Sequence, residues 1–252
     1  DKNRVQSTTA AIGAYFEDAK PRLPPNTLRE YHRHQDKAPE KRLDRVVRAD
    51  IDMSDPQAIK TWKMFFNWCL RNDLAEKNPF QYVPVVSGQR TRVLSDDELK
   101  QIWAYAYPPF SDYLKLQILT GQRIGQWQDY TQDDDKITFH SAAMKGKREH
   151  VLPLTDAVAA LLPLAPFNGW SNAKVRLDKH VHLEPWAIHE LRRTFSTNCA
   201  ALGVPLHVTE RILDHRSGTI SGVAAIYNRH TYMPEMREAL DRYAMHVESV
   251  VA

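Results

Sequence analysis

The sequence predicts a mainly α-helical protein of the α+β class, with one small β-hairpin or sheet. Apolar residues recur three and four positions apart in most segments, which is the period of an amphipathic helix. Strand-like composition flanks a tight turn at residues 144–147. Turn-forming residues near Gly88 to Thr91 separate two helical groups, so we expect two domains, 1–88 and 89–252.

The first predicted domain consists of short helices. In the last of them, Asp55 can cap the N-terminus and Pro56 suits the first turn. The predicted helices occupy residues 7–20, 28–47 with a break near Pro39, and 55–74. The buried face of the last helix is expected to contain Ile59, Trp62, Phe66 and Cys69.

The second predicted domain begins with a clear helix signal. Ser95 and Glu98 have the spacing of a capping box, and the helix at residues 111–121 is expected to end at Gly121. The predicted hairpin strands are residues 136–142 and 148–154, and the later helices are residues 155–164, 186–202, 205–215 and 233–251.

The net charge of +3 arises entirely from residues 1–88. The positive charge is concentrated in residues 20–48, which contain nine basic and four acidic residues, with His32 and His34 among them. The basic residues are Lys20, Arg22, Arg29, Arg33, Lys37, Lys41, Arg42, Arg45 and Arg48. Such a surface suits a long polyanion, and the alternative is a helical face made soluble by mixed charges.

Several classes of protein are excluded by composition. No hydrophobic run approaches the length of a membrane span, and no signal-peptide pattern is present, so we expect a cytoplasmic protein. The chain begins at Asp1 without a methionine, and we expect a processed or shortened product. Cys69 and Cys199 fit reduced thiols better than a disulfide framework.

A basic cluster lies on one predicted helix, where His189 is three and four positions before Arg192 and Arg193. One turn of helix can therefore present an imidazole beside a guanidinium, an arrangement that suits a phosphate or carboxylate. The alternative is a solvated basic face, which this segment alone favours.

Four more residues lie where a reactive side chain could approach a bound anion. Arg123 follows the helix-terminating Gly121, and Lys145 lies at the hairpin tip. His215 follows a helix end, and Tyr227 follows a small apolar run. Each has an ordinary alternative, since most hairpin-tip lysines only aid solubility and most tyrosines only pack.

In this order and spacing, the residues resemble the tyrosine recombinase, or phage-type integrase, family. The resemblance runs from about Leu94 to the C-terminus, and the helices before it resemble the helical core-binding domain of that family. It implies a core-type DNA-binding domain followed by a tyrosine-recombinase catalytic domain. The residues that carry the resemblance are Arg123, Lys145, His189, Arg192, His215 and Tyr227.

The resemblance implies cleavage and rejoining of double-stranded DNA. Tyr227 would attack a phosphorus atom and form a 3′-phosphotyrosyl link, with His189 as the candidate base that removes its proton. Lys145 would protonate the leaving 5′-oxygen. Arg123 and Arg192 would bind the non-bridging oxygens of the phosphate. Since guanidinium groups supply the positive charge, neither a metal nor a cofactor is expected.

The resemblance also implies partners. Four protomers would assemble on two paired DNA sites, a monomer is expected without DNA, and accessory DNA-bending proteins are allowed for. Residues 233–251 have a helical apolar face, which could dock on a neighbouring protomer or pack on its own domain. Larger family members carry an N-terminal arm-binding domain, which residues 1–252 do not contain.

Two residues depart from the family pattern. Gln126 replaces the usual acidic residue three positions after the first arginine, and Asp214 replaces the usual glycine before the histidine. A neutral amide at position 126 would orient Arg123 less firmly. Two alternative functions therefore stay open: a type IB topoisomerase-like enzyme, and a DNA-binding module that has lost catalysis.

Neighbouring residues offer rival assignments. Arg193 is expected to have a structural or DNA-backbone role, and Tyr232 is the rival nucleophile but is interpreted as a packing residue. His180 and His182 could lie on one strand face, but no third ligand accompanies them at a suitable spacing.

Overall fold

The structure is a computed structural model that describes residues 7–35, 37–86, 88, 91–142, 144, 148–215 and 230–252. The chain divides into two compact units, Asp1–Gln89 and Arg90–Ala252. The described residues are mainly helical and include one small antiparallel sheet, which confirms the predicted fold class. Within these ranges, no helix is both long enough and apolar enough to cross a membrane.

The first unit packs its helices around an aromatic core. The carboxylate of Asp55 accepts a hydrogen bond from the backbone of Gln57 at 2.9 Å, and Pro56 occupies the first turn, as predicted. The prediction of a second helix within residues 28–47 is wrong, since only 3₁₀ turns form in its place. The helices are α1 Thr8–Ala19, α2 Pro25–Gln35 and α3 Pro56–Arg71, and the 3₁₀ turns are Leu43–Arg45 and Arg48–Asp50.

The predicted inner face of α3 is confirmed, because Ile59, Trp62, Phe66 and Cys69 are all buried. His34 is only 3 % exposed, so it does not belong to the basic surface around it. The nine basic residues between positions 20 and 48 are all exposed.

The second unit begins with the predicted capping box. Ser95 Oγ accepts a hydrogen bond from the backbone of Glu98 at 3.3 Å, and the Glu98 carboxylate accepts one from the backbone of Ser95 at 2.9 Å. The helices are α4 Asp96–Ala104, α5 Phe110–Thr120, α6 Asp156–Ala159, α7 Trp170–His180, α8 His189–Ala201, α9 Leu206–Ile212 and α10 Met233–Val251. Helix α7 was not predicted from the sequence.

The sheet has three strands in the order β1, β2, β3: Tyr130–Gln132, Lys136–Phe139 and His150–Pro153. The last two form the predicted hairpin, with Ile137 opposite Leu152 and Phe139 opposite His150. Strand β1 was not predicted. Its three residues are half-buried or exposed, so it carries no alternation of apolar and polar side chains.

Helix α10 packs on its own unit. Met236, Leu240, Tyr243 and Val247 are buried against α4, α5, α9 and β3. Of the two alternatives for this apolar face, packing within its own domain is the one observed in the single chain.

Candidate active site

The basic cluster on α8 separates into one buried and two exposed residues. Arg192 is 3 % exposed, whereas His189 and Arg193 are exposed. The two amino groups of Arg192 donate to the carbonyls of Gly121, at 2.9 Å, and Leu213. The interpretation of this segment as a wholly solvated face is therefore wrong at Arg192.

The environment of Arg192 disfavours its positive charge. Burial, the largest cause, and the neighbouring charge of Arg123 lower the pKa of its guanidinium to about 9, while Asp214 acts in the opposite direction. A buried cation whose visible hydrogen-bond acceptors are neutral carbonyls has a strong tendency to attract an anion. Such an anion would relieve the repulsion between the two guanidiniums.

The loop that carries Arg123 is fixed at both of its ends. Gly121 caps α5 in the left-handed region, with φ of 63°, as the sequence predicts for a helix-ending glycine. A Cβ atom at Gly121 would lie 2.6 Å from the Phe195 ring and 2.7 Å from the Leu213 side chain. At the other end, Gln126 accepts a hydrogen bond from the backbone of Arg123 at 2.7 Å.

The turn after α9 brings a third segment to the same place. The backbone of His215 donates to the carbonyl of Glu210 at 2.9 Å, which closes the helix end. The carbonyl of Ile212 accepts from the amide of Gln122 at 2.6 Å and from His150 at 2.9 Å. Together with the bond from Arg192 to Leu213, these contacts join α5, α8, α9 and β3 around one turn.

Electrostatics shows which predicted residues lie near one another. The pKa of His215 is lowered first by desolvation, then by the positive charges of Arg192 and Arg123, and to a lesser degree by His189. Asp214 opposes this effect. Because such interactions decline steeply with distance, the structure brings Arg123, His189, Arg192 and His215 into one locality.

Two of the six predicted site residues, Lys145 and Tyr227, lie outside the described residues. Arg148, three positions after Lys145, forms an ion pair with Asp214. This pair connects the end of the hairpin loop to the turn that carries His215. The rival nucleophile Tyr232 lies at the start of α10 with φ of 57°, beside the rings of His207 and His230.

The structure adds three residues that were not selected from the sequence. They are Gln122, His150 and Arg148, which hold the turn after α9. A signal existed for His150, since a buried position in a strand rarely carries a polar residue without a partner. Gln122 and Arg148 gave no local signal, because their partners lie 90 and 66 positions away.

The arrangement is suited to a tetrahedral anion. Two guanidiniums offer positive charge, and these groups together with two imidazoles offer hydrogen-bond donors of the kind that a phosphate accepts. Within the described part of the chain, no group of three or more His, Cys, Asp or Glu residues could hold a metal ion. His180 ends helix α7, so His180 and His182 do not form the strand face considered above.

Comparison with known proteins agrees with the geometry of the site. No family model matches the chain. A tyrosine recombinase of Pseudothermotoga lettingae is 22% identical over 194 residues, which cover 66% of this chain and 67% of that protein. Prophage integrase IntF of Escherichia coli is 26% identical over 207 residues, which cover 70% of this chain but only 43% of the relative.

Solved structures share the fold. A lambda integrase dimer bound to a COC′ core site aligns with 86% of this chain and 98% of its own, at a TM-score of 0.68 and 16% identity. The Tn1549 transposon integrase in complex with circular intermediate DNA aligns with 90% of this chain and 98% of its own, at a TM-score of 0.54 and 16% identity.

Proposed function

We propose that the chain is a tyrosine recombinase, which cleaves and rejoins double-stranded DNA at specific sites through a 3′-phosphotyrosyl intermediate; its likeness to curated tyrosine recombinases and to solved integrase structures supports the proposal. The observation that carries the proposal is the buried guanidinium of Arg192, positioned by two backbone carbonyls next to Arg123 and His215. This arrangement supports binding of the scissile phosphate.

Arg192 and Arg123 would bind the non-bridging oxygens, where negative charge accumulates in the transition state. His215 would add a hydrogen bond. Its lowered pKa favours the neutral imidazole, and a neutral imidazole still has one N–H group that can donate to the phosphate. Loss of one such donor typically costs about 3 to 4 kcal/mol of activation free energy. Since Arg192 is already fixed by the protein, little reorganisation is needed when the charge develops.

Tyr227 would be the nucleophile. An unperturbed tyrosine has a pKa of about 10, so its proton must leave as the attack proceeds. His189, which is exposed at the start of α8, is the proposed base. Lys145 would protonate the 5′-oxygen as it leaves. The phosphodiester energy is kept in the new bond, so rejoining needs no cofactor.

The first unit would supply much of the DNA affinity. The nine exposed basic residues between positions 20 and 48 can neutralise backbone phosphates, and base contacts would then select the site. The lambda integrase structures include a dimer on a core site and a tetramer on a Holliday junction. We propose a similar assembly of four protomers here, on paired sites, with accessory DNA-bending proteins as further partners and the bacterial cytoplasm as its place of action.

A nicked suicide substrate tests this proposal. After cleavage, the short strand that carries the 5′-hydroxyl diffuses away, so the covalent complex accumulates as a band that resists denaturant. We expect the band with the parent protein and with Tyr232→Phe, and none with Tyr227→Phe. A DNA-binding module without catalysis would give no band with any of the three proteins. Loss of the band only in Tyr232→Phe would identify Tyr232 as the nucleophile.

A plasmid assay distinguishes recombination from topoisomerase activity. A topoisomerase-like enzyme would relax supercoils without a preferred site, whereas a recombinase exchanges strands only between paired sites. We expect products whose formation requires both sites. Relaxation of a plasmid that lacks these sites, at the same rate, would contradict the proposal.

A further inference from the structure

A carboxylate lies close to Arg192: it belongs to Asp214, the residue after Leu213, whose carbonyl accepts a hydrogen bond from the Arg192 guanidinium. We propose that Asp214 is a positioning residue for strand cleavage: its carboxylate, anchored by Arg148, is the counter-charge that keeps Arg192 and Arg123 in place for the phosphate. The inference rests on the proposed function, and it deepens the description of the same site.

The backbone at Asp214 explains why few residues are suitable there. Its φ is 50°, in the left-handed region, where glycine is the least strained residue and aspartate and asparagine are tolerated. Glycine would therefore satisfy the turn on its own. An aspartate at this position adds something that the backbone does not require, namely a charged side chain.

That side chain has a defined place. Its carboxylate is paired with the guanidinium of Arg148, and the side chain of Asp214 is only 13% exposed while that of Arg148 is 30% exposed. The pair therefore joins the turn after α9 to the residue two positions before strand β3. Partial burial limits the screening of this ion pair by solvent and salt.

The carboxylate acts on the site as well as on its partner. The Arg192 amino groups donate to the neutral carbonyls of Gly121 and Leu213, and Asp214 is the group that opposes the lowering of the Arg192 pKa. The same carboxylate raises the pKa of His215 and of His150 against the effect of the cations. It therefore offsets the repulsion among the positive groups when DNA is absent.

Gln126 makes this role necessary. Its carbonyl oxygen accepts from the backbone of Arg123, and its amide faces Gln122 and the sulfur of Met144. It holds the loop in position but carries no charge. The counter-charge that an acidic residue at position 126 would provide is thus supplied from position 214, in the same locality.

The test compares single-turnover formation of the covalent complex in the parent protein and four variants. Asp214→Asn keeps the tolerated backbone and removes the charge, and Asp214→Gly gives the least strained backbone and also removes it. We expect both to slow cleavage about ten-fold or more, as for other residues that orient a binding group. If Asp214 served only the backbone, the glycine variant would cleave at the parental rate, which would overturn the proposal.

Moving the negative charge from position 214 to position 126 should restore the rate of cleavage. In Asp214→Asn combined with Gln126→Glu, the negative charge returns beside Arg123, so we expect most of the lost rate to be recovered. Glu238→Gln is the matched control, because it removes a carboxylate from an exposed ion pair on α10 and should not change the rate. Failure of the double variant to exceed Asp214→Asn would also overturn the proposal.

A measurement without DNA separates this inference from the proposed function. The titration of His215 can be followed by NMR and assigned by its loss in His215→Gln. Because the Asp214 carboxylate raises the pKa of His215, we expect a lower pKa in Asp214→Asn. An unchanged pKa would refute the role of Asp214, whereas the absence of a covalent complex in the parent protein would refute the function alone.

Discussion

Arg192 is the residue in which structure and chemistry are most closely joined. Its guanidinium fixes the end of α5 and the end of α9 at once, through the carbonyls of Gly121 and Leu213. The same group is proposed to bind the phosphate. A planar fork with several donors can serve both purposes, whereas an ammonium group cannot.

We therefore predict that Arg192→Lys reduces covalent complex formation by about 10²-fold or more, the range seen when one transition-state donor is lost. It should also reduce the free energy of unfolding by about 1 to 3 kcal/mol, because a buried carbonyl is left without its donor. Single-turnover cleavage and urea unfolding measure the two effects. Arg193→Lys is the matched control on the same helix, and an equal loss there would contradict the prediction.

His150 links stability to pH. Burial lowers its pKa below the ordinary value of 6.5, so the folded protein binds this proton less readily than the unfolded chain. Above about pH 6.5 both states are neutral and the contribution is complete. As the pH falls below that value, the unfolded state gains the proton first, and stability is lost.

The expected outcome is a decline in the free energy of unfolding between pH 7 and pH 5, and a weaker decline in His150→Gln. The amide of glutamine can still donate to the carbonyl of Ile212 but has no proton to gain. The lowered pKa of His215 acts in the same direction in both proteins, so it cancels from the comparison. Equal slopes for the two proteins would show that His150 is not the titrating group.

At the scale of the element, the end of α5 depends on the absence of a side chain at Gly121. Gly121→Ala would meet both the left-handed backbone penalty, about 1 to 2 kcal/mol, and the cost of overpacking, about 1 to 3 kcal/mol. Gly203→Ala is a control for the first term, since Gly203 has φ of 77° and open space around it. Thermal or urea unfolding should rank Gly121→Ala as clearly less stable than Gly203→Ala.

The basic segment between α1 and α3 carries a second prediction at this scale. Arg29 and Arg45 are exposed, so each can contact a DNA phosphate. Replacing either by glutamine should weaken binding to all sequences equally and reduce the slope of log affinity against log salt by about 1. Arg242→Gln on α10 is the control. A slope that stays the same in Arg29→Gln and Arg45→Gln would remove this segment from the DNA interface.

The elements that were predicted correctly are those whose signals are local. The capping box of Ser95 and Glu98, the cap at Gly121 and the β2–β3 hairpin each depend on residues a few positions apart. Helix α7 escaped prediction because only Ala173 and Leu177 of it are buried, which leaves no continuous apolar stripe. The burial of Arg192 was not predicted, because its partners lie at the ends of α5 and α9 and the residues around Arg192 in the sequence do not indicate them.

At the scale of the whole molecule, charge is divided between the two units. The excess of positive charge lies in residues 1–88, while the cations of the candidate site are few and concentrated. In the proposed function, long-range attraction to DNA and local binding of one phosphate therefore belong to different parts of the chain. This division is consistent with affinity and catalysis being separable by substitution, as the predictions for Arg29 and Arg192 require.

The proposed assembly predicts how inactive protomers interfere. If four protomers act together on two sites, mixing the parent protein with an equal amount of Tyr227→Phe should leave about one sixteenth of the complexes with four active subunits. Recombination should then fall far below one half, whereas cleavage of a single suicide site should fall only to about one half, because it needs one nucleophile. Gel analysis of both reactions in one titration makes the comparison. A proportional decline of both would indicate that each protomer acts alone, as a monomeric topoisomerase would.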